Sequence, residues 1–504
     1  MTAARAGGLL CRMSTTAPGP TGKLDGAEVV RRGLREQRTE IAVDDVPVEG
    51  ELPAWLSGTL VRLSPARWDA GGRQMRHWFD GLAMLHRFGV RDGRVDYANR
   101  FLRTRQYRSI TEEGRMAASE FGTDPCRTLF GRVMTMFRPQ FTDNANVNVA
   151  RLAGEAVAMT ETPIPVVFDP DTLQTLGVSR WAEHVPGALT IAHPHADPVT
   201  GELVSFATEI GRRCRVNVYR MDPAACTTAV LASVPDPKIP YMHSFAITDR
   251  HVILVTFPLV IDQLAMLRGA LRRGGGVVDH FRWEPERGST FHVFDRATGE
   301  RRASIDGPAF FSFHHVNAFE RGEGRIVVDL FAYEDASIIR ALMLDDLRGG
   351  SAMVPGAELR RCELDLAAGT VEIRPLAEPN AELGRIDYGR RNGRPYRWLY
   401  AVSSRGTGPG AREALLGDQL VKIDVETGAF STWHEDGCLP SEPVFVARPG
   451  GTAEDDGVAL SVVLDGRAES SFLLALDAAT FAEIARARLP QHVPLGFHGD
   501  FFSV

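Results

Sequence analysis

The sequence is poor in lysine and has no excess of positive charge. Lysine occurs at only three positions, Lys23, Lys238 and Lys422, among 57 basic residues in a chain of 504 residues with a net charge of −7. Bulk charge therefore gives no indication of a nucleic-acid partner. We attribute the preference for arginine to coding composition rather than to function.

Paired cysteine motifs and long apolar runs are also missing. The six cysteines are scattered and form no C-x-x-C pair, which excludes a zinc knuckle or a dithiol redox motif. A reduced, cytoplasmic protein is the simplest expectation. No apolar run reaches about 18 residues, so no transmembrane helix is predicted.

The first forty residues differ in texture from the rest. Residues 1–24 are rich in Ala, Gly, Pro and Thr and poor in acids, which predicts a disordered tail without a signal peptide, and Met13 is an alternative start. Residues 25–40 are charged with a roughly helical pattern and predict a lead-in helical segment. Residues 41–504 are predicted to form a single domain.

From residue 41 onward, short apolar runs alternate with turn sequences. Runs such as 252–256, 325–329 and 458–464 are separated by turns such as Ala-Thr-Gly-Glu at 297–300. This density of short strands predicts an all-β protein. Among the sandwich, barrel and propeller, only the β-propeller readily holds so many strands in one unit. The internal repeats are irregular and do not establish it by themselves.

Four histidine segments have similar apolar, strand-like settings. Residues 311–320 carry His314 and His315, and the other segments carry the pair His193 and His195, His243, and His498. Each histidine alone is more often a core residue than a metal ligand. No short-range H-E-x-x-H spacing exists. A radial fold could nevertheless bring such distant imidazoles to one axis.

Imidazole nitrogens suit iron, zinc, copper or nickel. A site made only of imidazoles needs carboxylates behind it, which accept the distal N–H and offset the metal charge. Candidates in strand-like or proline-flanked contexts are Glu161, Glu382 and Glu442. The alternative is that each is an exposed turn carboxylate, as most glutamates are.

Six segments together resemble one known family. They are residues 77–86, 143–149, 243–248, 313–318, 440–443 and 496–499. At these residues the chain resembles the carotenoid cleavage oxygenase family, from about Val48 to Ser503. The likeness is greatest to the animal-type branch of β-carotene oxygenases and the retinoid isomerase.

The resemblance implies a seven-bladed β-propeller with a helical and loop cap over the metal-bearing face. It implies a non-haem Fe(II) ion held by His193, His243, His314 and His498, with a second layer of three glutamates, Glu161, Glu382 and Glu442. The first histidine of each pair matches the ligand. His77, Asp80 and His86 belong to a family motif and are expected to be structural.

The implied activity is oxidative cleavage of a conjugated C=C bond in a carotenoid or apocarotenoid, with O₂, to give two carbonyl products. Four aromatic residues near the histidine segments are expected to line the tunnel for this apolar polyene, with core packing as the alternative: Phe245, Phe257, Phe313 and Phe497. Rival hypotheses are a stilbenoid-cleaving oxygenase, a retinoid isomerase and a non-catalytic binding propeller.

A last stretch carries two open interpretations. Asp-Pro-Cys-Arg at 124–127 resembles a motif that precedes a membrane-contacting segment in the animal branch, and the sequence leaves open whether Cys126 is modified. Residues 128–137 are rich in large apolar side chains. They predict either a peripheral membrane contact or a helix packed on the core. A second helical pattern covers residues 262–273.

Overall fold

The structure is a computed structural model that describes residues 24–125, 141–152, 154–197, 200–211, 213–222, 225–263, 276–405 and 417–503. Four sequence predictions fall wholly or largely outside these residues. They are the disordered tail, the state of Cys126, the apolar segment at 128–137 and the helix at 262–273.

Several strands are short apolar runs that are buried on both faces. The strand His251–Thr256 is buried at its four central residues, and Gly457–Asp465 is buried at its seven central residues. A sheet that packs against a neighbour on each face gives such continuous runs instead of a polar and apolar alternation. The packing of sheet against sheet thus explains the continuous apolar runs in the sequence.

Seven sheets of four to six strands occupy the described part of the chain. The first contains β1 Ala42–Val46, β3 Gly58–Arg67, β4 Leu82–Arg91, β5 Arg94–Phe101 and β35 Gly499–Ser503. The second contains β6 Asn148–Leu152, β7 Glu155–Met159, β8 Val166–Phe168 and β9 Thr175–Val178. The third contains β10 Leu189–Thr190, β11 His195–Ala196, β12 Leu203–Glu209, β13 Cys214–Asp222 and β14 Thr227–Asp236.

The remaining sheets follow in chain order. The fourth contains β16 Ala246–Ile247, β17 His251–Thr256, β20 Ser289–Asp295 and β21 Arg301–Gly307. The fifth contains β22 His315–Glu320, β23 Arg325–Ala332, β24 Glu358–Asp365 and β25 Thr370–Asn380. The sixth contains β26 Glu382–Arg385, β27 Trp398–Ser403, β28 Gln419–Asp424 and β29 Phe430–His434. The seventh contains β2 Val48–Gly50, β30 Cys438–Pro440, β31 Val444–Ala447, β32 Gly457–Asp465, β33 Ser470–Asp477 and β34 Glu483–Arg488.

The two ends of the described chain close these sheets into a ring. Strand β35 pairs antiparallel with β3, from Gly58 opposite Ser503 to Arg62 opposite Gly499. Strand β2 pairs with β34, with Val48 opposite Ala487. The first and last sheets therefore each contain strands from both ends of the chain. The result is a seven-bladed β-propeller, which confirms the predicted fold class.

Short helices and a small extra sheet make up much of the rest. The helices are α1 Gly26–Gly33, α2 Arg105–Glu113, α3 Ser337–Ala341, α4 Leu344–Gly349 and α5 Tyr388–Arg391. The extra sheet contains β15 Ile239–Pro240, β18 Leu259–Ile261 and β19 Phe281–Trp283. Of the lead-in segment at 25–40, only Gly26–Gly33 is helical. None of the helices in the described ranges is long and apolar enough to cross a membrane.

The cap is fastened to the first blade by a buried carboxylate. Asp80 accepts hydrogen bonds from the Gly122 N–H at 2.7 Å, the Thr123 hydroxyl at 2.6 Å and the His77 N–H at 3.0 Å. His86 lies inside the same blade and contacts the Ser64 and Tyr97 hydroxyls at 2.8 and 2.9 Å. These contacts account for the structural role that the sequence assigned to this motif.

Candidate metal centre

In every blade, the strand nearest the propeller axis has one polar residue at or just before its first residue. Each residue begins that strand or precedes it by no more than three positions, because the chain enters each blade from the cap side. The seven residues, from the second blade round to the first, are Asn148, His193, His243, His314, Glu382, Glu442 and His498.

The four histidines converge on one point. One ring nitrogen from each lies within 4.8 Å of the others. The Nε2 atoms of His193 and His243 are 3.1 Å apart, and so are the Nε2 atoms of His314 and His498. The rings of His193 and His498 are nearly perpendicular, at 88°. The structure thus brings together the four histidines that the sequence analysis singled out.

Three of the four imidazoles are oriented by carboxylates. The Nδ1 atom of His243 contacts Glu161 at 2.6 Å, and that of His314 contacts Glu382 at 2.5 Å. The Nδ1 atom of His498 contacts Glu442 at 2.7 Å. Because a carboxylate accepts, each of these Nδ1 atoms carries the proton and each Nε2 presents a lone pair to the axis.

His193 is the exception among the four. Its Nδ1 lies 3.4 Å from the side-chain amide of Asn148, and the same amide donates to the Ala192 carbonyl at 2.8 Å. A neutral amide therefore stands where the other three imidazoles have a carboxylate. The centre holds four imidazoles with three carboxylates behind them.

Glu442, the carboxylate behind His498, accepts more hydrogen bonds than Glu161 and lies near two guanidinium groups. Glu442 accepts from His498 Nδ1 at 2.7 Å, from the Gly499 N–H at 3.0 Å, and from two nitrogens of Arg385 at 2.9 and 3.1 Å. A second guanidinium, that of Arg62, lies 3.7 Å from Glu442. Glu161, in contrast, receives the neutral Tyr241 hydroxyl at 2.9 Å.

Burial favours the neutral form of two of these imidazoles. It lowers the pKa of His498 to about 4 and, with the neighbouring imidazoles, lowers the pKa of His193 well below its usual value. Burial alone would raise the pKa of Glu442, but Arg385 and His498 outweigh it and hold this pKa well below the usual range. Neutral imidazoles and an ionised carboxylate are the forms that bind a cation.

The donor set fits a metal ion. Two nitrogens bound side by side to one ion lie about 3 Å apart when each bond is about 2.1 Å, which matches the 3.1 Å between the Nε2 atoms of His314 and His498. Since both rings use Nδ1–H toward carboxylates, two lone pairs face each other at this distance. A cation between them turns that repulsion into binding.

The centre opens into a cavity of about 1080 Å³. Its wall is largely apolar near the histidines, with Phe313 and Phe497 on it, and Phe79 bridges these two rings at centroid distances of 6.3 and 5.0 Å. A wall of this kind suits an apolar ligand.

The other two aromatic residues expected in the tunnel lie elsewhere. Phe245 packs on His195 at 4.8 Å, and Phe257 packs on Phe310 at 5.4 Å. Both are fully covered and neither is on the cavity wall. The structure does not place these two residues in the expected tunnel, because both rings are packed against other aromatic side chains away from the cavity wall.

Sequence reasoning missed several residues of the centre. Asn148 stands beside His193, Tyr241 supports Glu161, and Arg62 and Arg385 surround Glu442. Asn148 lies within the segment 143–149 that carries the family resemblance, which was a usable signal. No comparable signal marked Arg385. Nothing in the local sequence distinguished Arg62 from the other arginines.

Comparison with known proteins places this arrangement in a family. The family model described as "Retinal pigment epithelial membrane protein" matches residues 34–503. The chain belongs to this family. The resemblance to carotenoid cleavage oxygenases is thereby confirmed. A relative from Mustela putorius furo, named a mitochondrial carotenoid-cleaving dioxygenase, is 34% identical over 91% of this chain and 93% of its own length.

Further members agree in sequence and in fold. The β,β-carotene 15,15′-dioxygenase of Homo sapiens is 30% identical over 93% of this chain and 94% of its own length. The cobalt-substituted Synechocystis ACO superposes with a TM-score of 0.83 at 27% identity, covering 95% of this chain and 99% of that one. An ACO/RPE65 chimera gives a TM-score of 0.82 at 27% identity with the same coverage.

Proposed function

We propose that this protein is a non-haem iron dioxygenase that cleaves a conjugated C=C bond of a carotenoid or apocarotenoid with O₂. The observation that carries the proposal is the meeting of four imidazoles beside a largely apolar cavity of about 1080 Å³. The dioxygenase names of the relatives support the same class of reaction. Both atoms of O₂ enter the products, one in each of two carbonyl groups, so no reductant is required.

We further propose that His193, His243, His314 and His498 hold the iron as Fe(II), the state that O₂ chemistry needs. Bound iron supplies the activation of O₂, which no side chain of the centre can perform. The four ligands would come from four different blades, and three of them, His243, His314 and His498, line the cavity in which the substrate would bind. The general dependence of this family on non-haem iron supports iron over the other metals that imidazole accepts.

The remaining side chains of the site bind the substrate and orient the histidine rings. Phe79, Phe313 and Phe497 hold the polyene against the histidines and exclude water. Glu161, Glu382 and Glu442 fix the ring orientations through Nδ1–H. Such outer contacts commonly change metal affinity by a factor of about 10–100.

The test is aerobic incubation of the iron-loaded protein with β-carotene, apocarotenals and resveratrol under ¹⁸O₂, followed by mass spectrometry. We expect a polyene to yield two carbonyl products with one ¹⁸O in each, and His314→Ala to yield none. Cleavage of resveratrol alone would favour the stilbenoid alternative. Turnover without O₂ would favour an isomerase, and binding without products would favour a non-catalytic propeller.

The location in the cell stays a prediction. The predicted location is the cytoplasm, with residues 128–137 in contact with a membrane surface. An apolar substrate that partitions into membranes is compatible with both predictions. Sedimentation of the protein with liposomes, with and without charge substitutions in residues 128–137, tests the membrane contact.

A further inference from the structure

The cap side of the cavity contains a buried carboxyl group that the metal centre does not use. Glu120 is 4% exposed and lines the cavity. Its neighbour Phe121 packs on Phe79 and Tyr241 at centroid distances of 5.3 and 6.1 Å. Glu120 therefore belongs to the segment that covers the reacting end of the cavity.

All donors to this carboxyl group meet at one of its oxygens. Gln106 Nε2 donates to Glu120 Oε1 at 2.8 Å, and the Thr142 hydroxyl donates to the same atom at 2.7 Å. The amide of Gln106 cannot be turned round, since its Oε1 accepts from the N–H groups of Ala117 and Ala118. Among the described residues, none donates to Glu120 Oε2.

The surroundings of Glu120 favour its neutral form. Burial raises its pKa well above the usual value, and the nearby Asp80 and Asp143 act in the same direction against the two hydrogen bonds. With Oε1 occupied as an acceptor, the proton belongs on Oε2. A buried carboxylic acid of this kind is a hydrogen-bond donor at neutral pH.

The described part of the cavity wall is unsuited to an anion. No lysine or arginine of the described ranges lines it, whereas six carboxyl groups do: Glu120, Asp124, Glu161, Glu358, Glu378 and Glu382. A carboxylate ligand would be buried without a cationic partner, which is strongly unfavourable. A neutral ligand with an acceptor oxygen meets no such cost.

We propose that the Oε2–H of Glu120 donates a hydrogen bond to the substrate, so that the cavity selects a neutral polyene bearing a carbonyl or hydroxyl oxygen. This rests on the proposed function for the identity of the ligand as a polyene. Glu120 is a specificity residue that fixes how far the oxygen-bearing end enters the cavity. The same polyene ending in a carboxylate or in a bare hydrocarbon binds more weakly.

The test measures binding to the metal-free protein, so that it does not depend on cleavage. The probes are β-apo-8′-carotenal, its alcohol, its carboxylic acid and the matched methyl-terminated hydrocarbon, titrated by fluorescence quenching. We expect the aldehyde and alcohol to bind about tenfold more tightly than the hydrocarbon or the acid. In Glu120→Leu the aldehyde should fall to the level of the hydrocarbon, whose own affinity is kept.

Two further variants separate specificity from folding. Glu120→Gln keeps an N–H donor and should retain the preference for the aldehyde within about threefold. Glu358→Gln removes a half-exposed carboxylate of the same wall and should leave the ratio of aldehyde to hydrocarbon unchanged. Unchanged hydrocarbon binding in Glu120→Leu shows that the cavity is intact.

Three results would overturn the inference. One is an equal affinity of the wild-type protein for aldehyde and hydrocarbon, another is an unchanged aldehyde affinity in Glu120→Leu, and the third is an acid that binds as tightly as the aldehyde. If the binding pattern holds but iron-loaded protein forms no carbonyl products, the proposed function fails while the role of Glu120 stands.

Discussion

At the scale of single residues, the three carboxylates behind the imidazoles are not equivalent. Glu442 is 1% exposed and lies between the guanidinium groups of Arg62 and Arg385. Glu161 receives a neutral hydroxyl instead. Removing the charge of Glu442 leaves the guanidinium groups of Arg62 and Arg385 without this anionic partner. Among the described residues, removing the charge of Glu161 leaves no cationic side chain unpaired.

This difference predicts separate effects on stability and on metal binding. Glu442→Gln should lower the free energy of unfolding of the metal-free protein by about 3–5 kcal/mol, because the buried guanidinium of Arg62 and the partly buried one of Arg385 lose their anion. Glu161→Gln should lower it by less than about 2 kcal/mol. Both should weaken Fe(II) binding by a factor of about 10–100. Urea unfolding and competition with a chromogenic chelator measure the two quantities, and an equal loss of stability in both variants would contradict the argument.

At the scale of the strands, a buried ion pair joins two neighbours of the fifth blade. Asp329 on β23 is fully buried and receives two nitrogens of Arg361 on β24 at 2.8 and 2.7 Å. The Tyr396 hydroxyl, from the segment before β27, donates to the same carboxylate at 2.8 Å. One carboxylate thus links two strands of one blade to the entry of the next.

We expect Arg361→Met to destabilise the protein by about 3–5 kcal/mol, because Asp329 would stay buried with only one neutral donor. The double variant Asp329→Asn with Arg361→Met should recover part of this loss, since no charge remains unpaired. Chemical unfolding of the metal-free forms measures both. A loss under about 1 kcal/mol in the single variant would show that water reaches Asp329.

At the scale of the whole molecule, neutral histidines are buried both within blades and in the segments that connect strands. Burial lowers the pKa of His77 to about 4, of His86 to about 3 and of His292 to about 4. Their pKa in the unfolded chain is about 6.5. Between these limits the unfolded chain binds protons that the folded protein does not, so stability falls as the pH falls.

The metal-free protein should therefore lose stability steadily between about pH 6.5 and 4. Each such histidine contributes about 1.4 kcal/mol per pH unit. Asp80 acts in the opposite direction, because burial raises its pKa to about 6. The urea midpoints of unfolding from pH 7.5 to 4.5 measure how steeply stability depends on pH. His86→Gln should reduce this dependence by the equivalent of one proton. A slope that does not change in this variant would mean that His86 is charged in the fold.

Much of this protein could be predicted from its sequence. Continuous apolar runs such as 252–256 and 458–464 coincide with β17 and β32, because strands buried on both faces need apolar side chains throughout. The four histidines stood out because they occupy similar apolar, strand-like settings within family motifs. Ordered motifs around them identified the family. Strand patterns and motifs depend on residues that are close together in the chain, so they can be read from the sequence.

The tertiary structure alone decided how these parts meet. Burial between blades removed Phe245 and Phe257 from the tunnel, and it placed Arg385 beside Glu442. It also left one oxygen of Glu120, a residue of the cavity wall, without a described donor. Such contacts join residues far apart in the chain, so no sequence window contains both partners. The sequence determined which side chains are available, and the closure of seven blades determined which of them share an axis.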